Sequence, residues 1–187
     1  AETSMIARDI ALSLDTGARV LFQHVSSGQS AALIRAGKAL GAKIYAEVTP
    51  HHLSLTEHDV PAHGTYARMN PPLRKEADRQ ALIEALADGT IDMIATDHAP
   101  HTAEEKARDF AKAPSGITGL ETAFSVCNTY LVQTGRLTPM QLLEKMSRNP
   151  AEIYGLTGRA VQAGNYARLV LLDWDGEKVY EKYKSKG

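Results

Sequence analysis

Histidine and carboxylate side chains follow three short apolar segments of this sequence. His24 ends the first segment, Glu47 closes the second, and Asp97 and His101 come after the third. Imidazole nitrogens and carboxylate oxygens are ligands of zinc, whose catalytic sites keep one coordination position open for water. A metal ion lowers the pKa of that water from about 15.7 to about 7, and a neighbouring carboxylate can take and return its proton. His24 is therefore the candidate metal ligand, and Asp97 is the candidate general base.

Each of these residues also has an ordinary structural interpretation. A lone histidine after a strand is more often a hydrogen-bonded loop residue than a ligand, and the sequence contains no H-x-H pair. His51 and His52 are adjacent, and neighbouring side chains on an extended segment point to opposite sides, so we expect both to be structural. We expect His98 to support its loop. The occurrence of such residues after all three segments nevertheless favours one site over three unrelated loop positions.

The three apolar segments have the composition of β-strands and alternate with helical patterns. They cover residues 19–25, 43–48 and 91–96. Alternating strands and helices indicate an α/β fold with parallel βα units, and the carboxyl ends of parallel strands form the active-site face in such folds. The segments should therefore aim their imidazoles and carboxylates at one place.

Apolar residues at helical spacing predict the elements between the strands. Near the start of the chain, Ile6, Ile10, Ala11 and Leu14 fall on one helical face, and Gly17 can end the helix in a left-handed conformation. The other predicted helices cover about a dozen residues after Ser27, with Leu33, Ile34 and Leu40 buried; residues 76–88, with Leu82, Ile83 and Leu86 buried; residues 120–134; and residues 139–148, with Thr138 as N-cap.

Two further segments fall outside the alternation. Residues 102–115 are polar and too numerous for an ordinary connection, and loops of that length in compact domains are usually functional. Residues 168–174 and 178–183 have the composition of short strands. We expect these two strands to belong to a small β appendage.

Composition excludes several classes of protein. The 187 residues carry a net charge of −1 with both signs interspersed, which does not favour binding to nucleic acid or to an anionic membrane. No apolar run approaches the roughly 20 residues that span a bilayer. The single cysteine, Cys127, lies in an apolar stretch and reads as a core residue, which fits a reducing cytoplasm. The expected partner is a small molecule or another protein.

Five segments resemble bacterial dihydroorotases, which are cyclic amidohydrolases of the amidohydrolase superfamily. The segments are HVSS (24–27), EVTPHHLSLT (47–56), MNPPLR (69–74), ATDHAPHTAEEK (95–106) and GITGLET (116–122). The related hydantoinases and allantoinases share the HVS strand and the Asp-His pair. The combination of TPHH, NPPLR and TDHAPH is more characteristic of dihydroorotases.

The resemblance implies roles for individual positions. His24 matches the metal-ligand histidine at the end of the sixth strand of a (β/α)8 barrel. Asp97 matches the aspartate after the eighth strand, which binds metal and acts as general base and acid. Four further positions match groups that contact the substrate, with side chains at the first two and backbone groups at the last two: Asn70, His101, Ser115 and Gly116.

Other positions stay open. Asn70 precedes Pro71 and is also a suitable turn residue. Arg74 either orients the site or pairs with a surface carboxylate. Glu47 matches a glutamate that some family members use in an additional metal site beside a cysteine, but Gln23 stands before His24 here, so we do not expect a third metal ion.

The resemblance also implies that this chain is partial. Residues 1–157 correspond to about the last three βα units of a TIM-type (β/α)8 barrel, and residues 158–187 to part of a small β domain. The family's H-x-H-x-R motif, bridging carboxylate and second metal-binding histidine belong to earlier strands. The chain alone is therefore not expected to bind zinc tightly, and its open strand edges predict poor solubility or self-association.

The implied activity is that of a zinc-dependent dihydroorotase, which interconverts N-carbamoyl-aspartate and dihydroorotate in pyrimidine biosynthesis. One or two zinc ions would bind in the complete enzyme. One alternative is a hydantoinase-like or allantoinase-like enzyme acting on another cyclic amide. A second is a catalytically silent, dihydroorotase-like scaffold subunit beside a transcarbamoylase, and a homo-oligomer is also open.

Overall fold

A computed structural model of the chain describes residues 1–156, 161–180 and 183–185, and it has an α/β architecture. Three strands, β1 (Val20–Phe22), β2 (Ile44–Val48) and β3 (Met93–Ile94), form a parallel sheet in the order β1-β2-β3. Val20 pairs with Ile44, and Val48 pairs with Ile94. All three predicted strands are present, although each is shorter than its apolar segment.

Helices occupy the connections on either side of each strand. In chain order they are α1 (Glu2–Thr16), α2 (Gly28–Ala39), α3 (Pro50–Ser54), α4 (Val60–His63), α5 (Glu76–Ala87), α6 (Ala103–Lys106), α7 (Ala123–Cys127), α8 (Pro139–Leu143) and α9 (Asn149–Ile153). Short 3-10 turns at Glu57–Asp59 and Gly64–Ala67 flank α4, and π-helical turns at Asn128–Val132 and Glu144–Arg148 extend α7 and α8. Among the helices of the described ranges, none combines the length and the apolar character needed to cross a membrane.

The predicted helix boundaries rest on local capping. Gly17 has a φ of 72° and ends α1 in the left-handed region. Ser27 caps α2 by accepting a hydrogen bond from the Ser30 amide. Thr138 accepts from the Gln141 amide, and the Gln141 side chain accepts from the Thr138 amide, so the two form a capping box. The expected N-cap role of Thr138 is confirmed.

The core lies between the sheet and the helices that follow β1 and precede β3. Ile34 of α2, Leu86 of α5 and Ala46 of β2 are fully buried and belong to one apolar cluster. Leu82 and Ile83 join them, as the helical spacing predicted. Cys127 is also buried, and burial raises the pKa of its thiol to about 12, so it is the core residue that the sequence indicated.

Some predicted core positions are wrong. Leu14 is 42% exposed and Leu40 is 71% exposed, and Ala11 also faces solvent. On α1 the buried face passes through Ser13, whose hydroxyl donates to the Ala18 carbonyl at 2.8 Å and accepts from the Lys43 amide at 3.1 Å. These two bonds fix the rotation of the helix and turn its position 14 outward.

The predicted strand at residues 168–174 is also wrong. No strand is present within residues 161–180, where Leu171 is 99% exposed. Backbone groups of a strand need a neighbouring strand, and none lies alongside this segment in the described parts of the chain. The segment is attached instead through Trp174, which packs edge-on against Phe124 with ring centroids 5.3 Å apart. The second predicted strand, 178–183, and the proposed boundary after residue 157 fall partly outside the described residues.

Candidate active site

His24 lies between two carboxylates at the carboxyl ends of the strands. It follows β1, Glu47 belongs to β2, and Asp97 follows β3, so the parallel sheet brings all three to one edge. The His24 Nδ1 atom is 2.9 Å from Glu47 Oε1, and its Nε2 atom is 3.4 Å from Asp97 Oδ1. The predicted convergence of the strand ends therefore occurs for His24 and Asp97.

The backbone is strained at both of these residues. His24 has a φ of 55° and Asp97 a φ of 48°, whereas the other described residues with positive φ are glycines. A non-glycine residue held in the left-handed region costs of order 1–3 kcal/mol, and such residues concentrate at functional sites. Both residues lie shortly after a strand, at the edge of the sheet where their side chains meet.

The charges around His24 favour its protonated form. The neighbouring Glu47 carboxylate raises the pKa of His24, burial opposes this, and the Asp97 charge adds to the increase. His24 Nδ1 and Glu47 Oε1 are buried and lack an aligned hydrogen bond within the described residues, so their 2.9 Å contact is an ion pair when His24 is protonated. We attribute the higher pKa to the proximity of the two carboxylates.

The separation of His24 and Asp97 fits two ligands of one metal ion. Tetrahedral zinc with bonds of about 2.0–2.1 Å places its ligand atoms about 3.3–3.4 Å apart. The measured distance from Nε2 to Oδ1 is 3.4 Å. Within the described residues there is no group of three or more potential ligands. The spacing of this pair therefore fits two ligands, which is fewer than a complete tetrahedral site requires.

His52 ties the loop of Asn70 to the end of β2. The His52 Nε2 atom lies 3.1 Å from the Pro71 carbonyl, which only accepts hydrogen bonds, so Nε2 carries the proton. Its Nδ1 atom then accepts from the Thr49 hydroxyl at 2.7 Å. The neighbouring His51 is buried with its ring centroid 4.5 Å from that of His52, and burial lowers its pKa to about 3. Both histidines are buried, as the predicted structural role requires, but they lie on the helix α3 with their rings in contact, so the expected extended segment with side chains on opposite sides is wrong.

His101, Ser115 and Gly116 form a second cluster. His101 Nε2 donates to the Ser115 carbonyl at 3.0 Å. Gly116 has a φ of 146°, and a Cβ atom there would lie 2.9 Å from His101 Nε2 and 2.8 Å from the Ala99 Cβ atom. Only glycine permits this close approach between the two loops. Three of the four predicted substrate-contacting positions are thus in one place.

The remaining predicted residues have distinct positions. Asn70 is exposed on the loop that His52 holds. His98 accepts hydrogen bonds at Nδ1 from the amides of Gly119, at 3.1 Å, and Leu120, at 3.3 Å, so it supports its loop as expected. For Arg74, which the sequence left open, the Nε atom donates to the Ser26 hydroxyl at 3.1 Å and the guanidinium lies 3.5 Å from the largely buried Glu2 carboxylate.

Sequence reasoning placed Glu47 at this edge of the sheet but did not predict its contact with His24, and it missed Lys106 altogether. The Glu47 side chain is only 3% exposed, and a charged residue within an apolar strand segment could have indicated such a contact. Lys106 is 1% exposed. Its surroundings in the sequence are polar, so no signal marked it as buried.

Comparisons with known proteins give the context of this site. The sequence pattern of the Amidohydrolase family matches residues 12–185. The dihydroorotase of Clostridioides difficile (strain 630) is 52% identical over 186 residues, which cover 100% of this chain and 44% of that protein. The dihydroorotase of Lactococcus lactis subsp. lactis (strain IL1403) is 49% identical over 186 residues, covering 99% of this chain and 44% of that protein.

Solved structures of related enzymes share the fold. The L-hydantoinase (dihydropyrimidinase) of Arthrobacter aurescens superposes with a TM-score of 0.82 at 32% identity, over 87% of this chain and 37% of that one. The D-hydantoinase (dihydropyrimidinase) of Thermus sp. gives a TM-score of 0.77 at 30% identity, over 82% of this chain and 35% of that one. This chain spans about 44% of the length of the curated relatives it matches. Because the family pattern includes both strand ends that carry His24 and Asp97, the chain belongs to the Amidohydrolase family.

Proposed function

We propose that this chain is the part of a dihydroorotase that carries His24 and Asp97. The complete enzyme would interconvert N-carbamoyl-aspartate and dihydroorotate in pyrimidine biosynthesis. The observation that carries the proposal is the 3.4 Å contact between these two residues at the strand ends. Its support from the sequence is the 52% identity to the dihydroorotase of Clostridioides difficile over the whole chain.

The fold proposed for the complete protein is a TIM-type (β/α)8 barrel. Residues 1–157 would supply about its last three βα units, and residues 158–187 would supply part of a small β domain. Each strand here is followed by a helical connection, and the sheet is parallel throughout its described extent. A barrel closes with eight strands, so β1 and β3 would each pair with a strand outside this chain.

The metal proposed for the site is zinc, held in part by His24 Nε2 and Asp97 Oδ1. A bound zinc ion supplies Lewis-acid chemistry that polarises the amide carbonyl and makes water more acidic. The Asp97 carboxylate would take a proton from the attacking water and deliver it to the ring nitrogen as the amide C–N bond breaks. Glu47 orients the imidazole of His24 from the opposite side, at 2.9 Å.

Substrate binding is assigned to the neighbouring loops. Asn70 and His101 would hydrogen-bond the substrate ring and its carboxylate, and the backbone at Ser115 and Gly116 would contact the pyrimidine ring. The contact between His101 and the Ser115 carbonyl supports this assignment because it holds two of these groups together at 3.0 Å. The location proposed is the cytoplasm, consistent with a single, buried cysteine, and a homo-oligomer or a transcarbamoylase partner is compatible with this role.

A second candidate is a hydantoinase-like activity, favoured by the fold similarity to the L-hydantoinase of Arthrobacter aurescens. A silent scaffold is less favoured, because a scaffold has no need of the strained His24 and Asp97.

A substrate panel separates these functions. The full-length protein that contains this chain, loaded with zinc, is assayed with dihydroorotate, hydantoin and dihydrouracil. We expect the highest kcat/KM with dihydroorotate. Preference for hydantoin or dihydrouracil would replace the proposal with the second candidate, and no turnover of any cyclic amide would favour the scaffold.

A further inference from the structure

Lys106 is a buried cation at the base of the substrate-binding loops. It is 1% exposed, although it follows Glu104 and Glu105 in a polar stretch. A buried ammonium group requires hydrogen-bond partners that replace its hydration. Lys106 has them in three backbone carbonyls: Thr65 at 3.1 Å, Pro114 at 3.1 Å and Gly116 at 2.6 Å.

These three bonds use the whole donor capacity of the ammonium group. A lysine side chain has three N–H donors and no acceptor. None remains for the His24–Asp97 pair or for a substrate. Lys106 therefore acts through the backbone that it holds, and it is not a catalytic residue.

The carbonyls belong to the loops that carry the proposed substrate contacts. Thr65 lies in the turn that leads to the loop of Asn70, and its hydroxyl donates to the Lys106 carbonyl. Pro114 and Gly116 flank Ser115, whose carbonyl accepts from His101. The Lys106 ammonium is thus the common point of contact for these loops.

A further backbone hydrogen bond connects the same loops. The Gly116 amide donates to the Arg68 carbonyl at 2.9 Å, so residues 113–119 are bound both to Lys106 and to the segment before Asn70. Removal of the ammonium would take one donor from each of the three carbonyls at a point where water has little access, and of its remaining bonds the Thr65 carbonyl would keep that from the Arg68 amide at 3.1 Å. The loops would then have to move apart to hydrate them.

We propose that Lys106 is a positioning residue for substrate binding: it fixes the backbone of Pro114–Gly116 against His101 and the loop of Asn70. This inference rests on the proposed function for the identity of the substrate. The part of the proposal in which Lys106 holds the loops together depends only on contacts within this chain.

The test uses the full-length protein with three variants. Lys106→Met removes the charge and the donors. Lys106→Arg keeps the charge, but its planar guanidinium has a different donor geometry and cannot reproduce three bonds from one nitrogen. Lys112→Met is the matched control, because the Lys112 side chain is 77% exposed on the same stretch of chain.

The first measurement separates substrate binding from the chemical step. For Lys106→Met we expect the KM for dihydroorotate to rise about tenfold or more while kcat falls less than about threefold, because the His24–Asp97 pair is not contacted. Lys106→Arg should change KM in the same direction by a smaller factor. Lys112→Met should match the wild type. If Lys106→Met does not fold, the arginine variant decides, and a wild-type KM in a folded Lys106 variant overturns the proposal.

The second measurement does not require activity. Hydrogen exchange should be faster at residues 64–68 and 113–119 in the Lys106 variants, with no change in α2 (Gly28–Ala39). Unchanged exchange in both loops overturns the proposal. If the wild-type protein does not turn over dihydroorotate, the proposed function fails, and the exchange measurement still decides whether Lys106 ties the loops together.

Discussion

His24 Nε2 and Asp97 Oδ1 approach to 3.4 Å from two backbones that both have positive φ angles. The two residues follow the outer strands of a three-stranded sheet, so the full width of β2 separates the strands from which they come. The backbone conformation and the spacing of the two side-chain atoms thus both favour the metal-binding role proposed above for His24 and Asp97.

Asp97→Asn tests the proposed proton transfer with little change in shape. Asparagine tolerates the left-handed conformation, so the fold should persist, but the amide cannot accept a proton as a carboxylate does. We expect kcat for dihydroorotate to fall by roughly 10²–10⁴-fold in the full-length enzyme. Asp109→Asn is the control, since the Asp109 side chain is 81% exposed. Retention of wild-type kcat by Asp97→Asn would remove Asp97 from the mechanism.

Gly116→Ala tests the close approach between the two substrate-binding loops. The new Cβ atom would lie 2.9 Å from the Ala99 carbonyl oxygen and 2.9 Å from His101 Nε2. We expect a loss of about 1–3 kcal/mol in the free energy of unfolding, together with weaker substrate binding, because His101 must move. Denaturant unfolding and KM measure the two effects.

Gly135→Ala is the control for Gly116→Ala, because it introduces an unfavourable backbone conformation without a steric clash. Gly135 has a φ of 72°, and a Cβ atom there would meet nothing within 4 Å. We expect Gly135→Ala to lower the free energy of unfolding by about 1 kcal/mol and to leave KM unchanged. If the two variants are equally stable and bind substrate equally well, the close contact at Gly116 has no functional role.

The sequence could predict which residues of this site lie at the carboxyl ends of the strands. His24 and Asp97 each follow an apolar segment, and parallel pairing alone brings such positions to one edge. Lys106 could not be found in the same way, because its three partners are backbone carbonyls, which carry no residue signature. Leu14 shows the complementary failure: its apolar type favoured burial, but two hydrogen bonds of Ser13 set the rotation of α1.

Glu2 should make stability depend on pH in the acidic range. Burial raises the pKa of Glu2, but hydrogen bonds from Ser26 and Ser30 and the charge of Arg74 outweigh it, and the pKa lies below its ordinary value of 4.5. A carboxyl group whose pKa is lower in the folded state stabilises the fold above its unfolded-state pKa. That contribution is lost as the pH falls through the folded-state pKa.

Glu2→Gln measures this contribution directly. At pH 7 we expect the variant to be less stable by about 1–3 kcal/mol, because hydrogen bonds to a charged group are replaced by weaker neutral ones. The difference should shrink as the pH is lowered below about 4.5. Denaturant unfolding from pH 3 to pH 7 gives both values, and Glu104→Gln, at an exposed position, is the control. A stability difference that does not change with pH would contradict the assignment.

The 187-residue chain expressed alone should self-associate. The described strands pair in the order β1-β2-β3, which leaves one edge of β1 and one edge of β3 without a described partner. Unpaired edges of this kind are templates for intermolecular pairing. Light scattering coupled to size-exclusion chromatography should therefore find a mass that increases with concentration. A monodisperse monomer that melts cooperatively would show that the edges are protected.

Leu21→Pro tests whether the edge of β1 is responsible. The Val20 amide donates to the Lys43 carbonyl of the neighbouring chain segment at 3.0 Å, so by strand alternation the Leu21 amide points to the opposite, open edge. Proline at position 21 removes that outward donor without removing a bond between β1 and β2, and edge strands tolerate it. Self-association should weaken in this variant. If it does not, association takes place through β3 or through the exposed apolar residues of the tail, of which Leu171 is the most exposed at 99%.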